Sequence, residues 1–138
     1  MARLDKYDGM VGGFRAPLAA DFGFVDGSNP PQADPALKGA VRAVSLDANG
    51  RVVIGTGGVT GLVGVVVFDG PKAAGEIVDV AQNAEIVEFA LADGTDAAPG
   101  TRYGAAEDGT LAAGSGVGFT VEATRLIVRV DQSAAPLP

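Results

Sequence analysis

Residues 61–91, GLVGVVVFDGPKAAGEIVDVAQNAEIVEFAL, constrain the fold more than any other stretch. Three β-type runs lie in them, at 62–68, 76–80 and 85–91. Val65, Val66 and Val67 form an unbroken apolar block, which predicts a strand covered on both faces. The turn-forming DGPKAAG separates the first two runs, and a polar Gln82-Asn83 step separates the last two. Glu76-Ile-Val-Asp-Val80 and Glu85-Ile-Val-Glu-Phe89 share one pattern, acid-Ile-Val-acid-apolar. That pattern fits half-buried strands of a small barrel or sandwich. No catalytic group stands among them, so the best-organised stretch reads as scaffold or docking surface.

The rest of the chain continues the β rhythm. AVRAVSL ends at Asp47-Ala-Asn49-Gly50, whose Asn-Gly step favours positive φ and reverses a strand. Arg51-Val-Val-Ile54 returns, and Gly55-Thr-Gly57-Gly58 breaks it. Further short strands are expected at 101–105, 110–112, 118–122 and 125–130, with a hairpin turn at Glu107-Asp108-Gly109. Asp34-Pro35 can cap one helical turn, which Gly39 ends. Turn signals about every ten residues, with no long helical period, predict an all-β barrel or sandwich. With 138 residues and 47% apolar content, one domain with an ample core is expected.

Residues 1–36 differ. They hold three of the six Phe, in GGFRAPLAADFGF, together with Pro17, Pro30, Pro31 and Pro35, and follow no long period. Two readings stand open: a segment folded back on its own core, or an extended arm whose aromatics anchor it on another subunit or protein. The expected organisation is an N-terminal arm (1–36), a β-barrel domain (37–132) and a flexible tail (133–138).

Composition excludes several functions. The chain has no Cys, His or Trp, which removes disulfides, thiolate metal sites and the commonest general base. A net charge of −7 with only ten scattered Lys and Arg argues against nucleic-acid binding. MARLDKYDG lacks the apolar core of a secretory signal, and no apolar run reaches the roughly 18 residues of a membrane helix, so a soluble protein is expected.

The remaining candidate sites fail on spacing or context. In Gly55-Thr-Gly-Gly-Val-Thr-Gly61 the third glycine of a dinucleotide loop would fall at Thr60, and a Val-rich strand follows instead of a helix. A flexible inter-strand loop is the better reading. Asp47-Ala-Asn49-Gly50 begins like a calcium loop, but its bidentate Glu would fall at Thr56. Asp93, Asp96, Glu107 and Asp108 could still collect a weak cation between loops, against the plainer reading that turn residues are commonly acidic for local hydrogen bonding. The pairs Glu76/Asp79 and Glu85/Glu88 sit at a spacing that puts them on opposite strand faces, unsuited to glycoside hydrolysis. Lys6, Lys38 and Lys72 have no serine at a spacing that supports a Ser-Lys nucleophile. No enzyme, cofactor or metal site is expected.

Taken together, LDKYDGMVGGFRAPLAADF, LDANGRVVIGTGGVTGLVGVVVFDGPKAAGEIVDVAQNAEIVEF, PGTRYGAAEDGTLAAG and VGFTVEATRLIVRV resemble the head decoration (cement) proteins of tailed bacteriophages, closest to those of phages infecting actinobacteria. The resemblance spans nearly the whole chain and carries no catalytic signature. It implies a β-tulip-like barrel or sandwich on the outer surface of the virion capsid, made in the host cytoplasm. It also implies that the protein bridges and stabilises neighbouring major capsid protein subunits, commonly as a homotrimer. Carried onto this chain, it gives the capsid-binding role to the arm, around Tyr7, Phe14, Arg15, Leu18 and Phe22. The rival reading is a β-sandwich adhesion or carbohydrate-binding module on a virion surface, for which only Tyr7 and Tyr103 offer a sugar-stacking ring of the Tyr or Trp type.

Overall fold

Residues 13–87, 100, 102–114, 116–122 and 125–130 are described by a computed structural model of the chain. Ten strands are present among them: β1 (Gly13–Pro17), β2 (Ala40–Leu46), β3 (Val52–Ile54), β4 (Gly64–Phe68), β5 (Ile77–Ala81), β6 (Asn83–Val87), β7 (Arg102–Ala105), β8 (Leu111–Ala113), β9 (Gly118–Glu122) and β10 (Arg125–Arg129). They form two antiparallel sheets, ordered β1-β5-β4-β2-β3 and β6-β10-β9-β7-β8. The expected helical turn is a single 3-10 turn, Pro35–Leu37, with the Asp34 carboxylate accepting from the Ala36 N–H.

The first sheet curls until its edges meet. Leu18, just past β1, bridges Val52 of β3. The Leu18 N–H donates to the Glu76 carbonyl and the Ala19 N–H to the Val52 carbonyl, both at 2.8 Å. The result is a small, nearly closed barrel filled by Ala16, Leu18, Val44, Val52, Val63, Val66, Phe68, Val78 and Val80. The second sheet covers the outside of β2 and β4. Between the two lies a second core of Val41, Ala43, Val65, Tyr103, Ala105, Leu111, Val117, Leu126 and Val128.

This arrangement explains the valine block. Side chains alternate across a strand, so Val65 enters the core between the sheets while Val66 enters the barrel. Both faces of β4 are therefore buried there, as the sequence predicts. Val67 points the same way as Val65 but stands 36% exposed, because the cover of the second sheet ends short of it. β2 is buried along nearly its whole length for the same reason.

The two acid-Ile-Val-acid runs go to different sheets. β5 runs between β1 and β4 in the first sheet, Gln82 carries the chain across, and β6 begins at once in the second sheet. The Gln82 side-chain amide donates to the Val63 carbonyl at 3.0 Å, and the Gln82 main-chain carbonyl accepts from the Val130 N–H at 3.1 Å, so the crossover is tied to both sheets.

The expected division at residue 36 does not match the barrel. β1 is one of its strands, paired residue by residue with β5 from Gly13–Ala81 to Pro17–Ile77. Residues 18–36 continue from β1: Phe22 bridges Lys72 of the β4–β5 connection, while Phe24 bridges Ala33 within the segment itself. The Ala74 N–H donates to the Asp21 carboxylate at 2.7 Å. Residues 1–12 and the tail at 133–138 lie outside the described residues.

Candidate functional site

The residues assigned to a capsid-binding arm separate into three kinds. Tyr7 lies outside the described residues. Leu18 is fully buried in the chain's own barrel, and Phe14 and Phe22 pack partly buried against it. The Phe22 ring sits 4.3 Å from that of Phe68, tilted by 37°, and the Arg42 guanidinium lies over Phe22 at 5.1 Å. For 13–36 the self-folded reading of the two left open is therefore the one adopted. Buried Leu18 offers no surface to another protein. Of the five, Arg15 is freely presented: it projects from β1 opposite Asp79 and pairs with it at 2.9 Å, both side chains about three-quarters exposed or more. So exposed a pair contributes little to stability.

Several acidic residues are engaged in turns and surface pairs. The Asp47 carboxylate accepts from the N–H groups of Asn49 (2.8 Å) and Arg51 (2.9 Å), which closes the turn that resembles a calcium loop. The Glu76 carboxylate accepts from the Ala73 N–H at 2.6 Å. Glu85 pairs with Arg125 at 2.8 Å. Among the described residues no three acidic side chains gather as a metal site would require. The glycine-rich loop after β3 is pinned, contrary to the flexible loop expected. The Ser45 hydroxyl donates to the Gly55 carbonyl (2.8 Å) and accepts from the Gly58 N–H (2.9 Å). The Leu46 N–H donates to the Thr60 hydroxyl at 2.9 Å.

Two titratable groups are perturbed. Burial lowers the Arg42 guanidinium from its ordinary value, partly offset by the charge of Asp108; arginine nevertheless stays charged in proteins. The Asp108 carboxyl is held below the usual carboxylate range, first by the Thr110 hydroxyl (2.7 Å) and then by the Thr110 N–H (3.1 Å). Because the folded value is depressed, Asp108 favours the fold above the unfolded carboxyl's pKa of about 3.9, and that contribution is lost as pH falls through the folded value. Thr110→Val should move the Asp108 titration up toward the ordinary range and lower stability above about pH 4, a difference from the parent that vanishes as pH falls through the folded value. Carboxyl-carbon NMR titration of Asp108 in both proteins measures this, and identical curves would exclude the hydroxyl as the cause.

Two surface features remain. Beside the barrel, β4 and β5 are joined only at Val65–Ala81 and then splay apart. An open cleft of about 340 Å³ results, lined by Val67, Asp69, Pro71, Lys72, Ile77 and Asp79 among others. On the second sheet, the face turned away from the core carries Phe119 and Val121, 38% and 41% exposed. Sequence reasoning did not single out either. Tyr103, a candidate sugar platform, is fully buried between the sheets.

These features define an all-β protein of two antiparallel sheets and two cores. Its fold is shared with a solved chain from Mycobacterium phage Patience: the TM-score is 0.65 at 22% identity, covering 96% of this chain and 97% of that one. No protein-family model matches the sequence, and no curated protein matches it.

Proposed function

We propose that this chain is a capsid decoration protein of a tailed phage, binding the outside of the mature head and bridging major capsid protein subunits. The observation that carries the reading is the end-to-end likeness of its fold to a phage chain. The whole-chain resemblance of its sequence motifs to the decoration family points the same way. The physics of such a role is repetition. Modest contacts, multiplied around a symmetric homotrimer and across a lattice of identical sites, give avidity. A net charge of −7 suits a protein outside the shell, away from DNA. Within the proposed arm, Arg15 and the residues ahead of Gly13, Tyr7 among them, are the contacts this reading retains. No cofactor, membrane or nucleic acid enters it, and no catalytic step. The carbohydrate-binding alternative is weakened by the burial of Tyr103.

The test is to mix the purified protein with heads assembled without it. Saturable binding at a stoichiometry matching the capsid lattice is expected. Absence of binding, or binding without saturation, would overturn the proposal.

A further inference from the structure

The outward face of the second sheet carries a charge and polarity pattern opposite to that of the chain as a whole. The register brings Glu85 (β6), Ile127 (β10), Phe119 (β9) and Arg102 (β7) into one row across four strands. Leu126, Val128 and Tyr103, their neighbours along the strands, are buried, so alternation turns this row to the outside. Phe119 stands at its centre, 38% exposed, with Val121 two residues along β9 at 41%. Arg125 and Arg129 lie on the same side of β10 as Ile127.

The charge here is local and inverted. The chain carries −7 overall with ten Lys and Arg, yet three arginines surround this apolar centre. Two acids stand against these arginines: Glu85, which Arg125 engages at 2.8 Å, and Glu122, which the register sets opposite Arg125 on β9, so the arginines outnumber them three to two. Arg129 is paired with the neutral side chain of Asn83. The cross-strand pair with Ile127 gives Phe119 a role in holding the sheet, but that role does not call for arginines around it. Aromatic and arginine enrichment around an apolar centre is instead the composition of a protein–protein contact. Arginine stems can also flatten over apolar neighbours while the guanidinium reaches a carboxylate beyond.

We infer that this face docks onto an acidic, apolar-centred surface of another protein. Charge complementarity selects the occupant: a partner with carboxylates placed around an apolar strip would meet the arginine frame with Phe119 at its middle. The inference rests on the capsid reading in naming that partner as the major capsid protein, and it supplies a second contact beside the barrel's β1 side.

The test uses the full chain in two pairs of substitutions, Phe119→Ser with Ile127→Thr, and Arg102→Glu with Arg129→Glu. Lys38→Glu, on the exposed end of the 3-10 turn, is the charge control. Heads assembled without the protein are the probe, and thermal unfolding verifies that each variant folds. At least ~10-fold weaker head binding is expected for both pairs, with Lys38→Glu within ~2-fold of the parent. The loss from the arginine pair should shrink as salt is raised, since added ions screen the contact. Folded variants that bind heads like the parent overturn this face and leave the capsid reading standing. Unchanged head binding combined with altered self-association in sedimentation velocity assigns the face to a second copy, which also overturns the inference. A parent protein that does not bind heads overturns the capsid reading together with this one.

Discussion

Removing residues 1–24 is expected to abolish folding, whereas removing residues 1–12 is expected to leave a cooperatively folded barrel. The difference lies in residues 13–24. They supply β1, which covers one side of β5 along its length, and Leu18, whose backbone joins the sheet's two edges. They also supply Phe22, held against Phe68 by its ring and against Lys72 by two backbone hydrogen bonds of 2.8 Å. Loss of the Leu18 side chain alone should cost about 2–5 kcal/mol, from transfer and cavity terms together. Burial of Phe22 adds about 1.5–3 kcal/mol at most. With the β1 ladder gone as well, the sum approaches the roughly 5–15 kcal/mol that holds a domain of this size together. Point substitutions should reproduce the contrast in miniature: Leu18→Ala in the range above, and Arg15→Ala within about 0.5 kcal/mol. Guanidinium denaturation followed by circular dichroism measures each. A 25–138 fragment that unfolds cooperatively near the parent midpoint would mean that the barrel closes without β1.

The buried role of 13–24 was not legible in the sequence, and the reason is physical. GGFRAP carries an arginine, a proline and two glycines, which weaken any strand signal. Pro17 is nevertheless accommodated at the strand's end, opposite Ile77. Aromatics gathered in an aperiodic segment read alike whether they cover the chain's own barrel or a partner. The choice depends on where Phe68 and Val52 stand in space, 46 and 34 residues further along the chain from Phe22 and Leu18 respectively.

By contrast, most strands after residue 40 were legible to within two or three residues, because alternation and Asn-Gly or Asp-Gly turns are local signals. What alternation cannot report is which sheet a strand joins. The two acid-Ile-Val-acid runs look equivalent, yet Gln82 sends them to separate sheets. The candidate docking face is hidden for the same reason. Phe119, Ile127 and Arg102 are adjacent only through the register of β9 with β10 and β7. The pinning of the Gly55 loop by Ser45 is again a long-range contact.

Gly55→Ala is expected to be among the most damaging single-methyl additions, costing at least about 3 kcal/mol. Gly55 has φ of +93°, and a Cβ there would overlap the Glu107 carbonyl in the turn between β7 and β8. Its N–H donates to the Ala43 carbonyl at 2.8 Å, while the Ala43 N–H donates to the Gly109 carbonyl at 2.7 Å. One residue of β2 thus ties the end of the barrel to the second sheet through backbone alone. A side chain at Gly55 must push the two backbones apart and break both bonds, besides adopting a left-handed conformation. Gly27 separates these costs: its φ is +73°, but a Cβ there meets nothing within 4 Å. Gly27→Ala should therefore cost only the conformational strain, about 1–2 kcal/mol. Denaturant midpoints of the two variants decide the matter. If they coincide, the close approach of β3 to the β7–β8 turn contributes nothing, and the packing of the second sheet rests on its side chains alone.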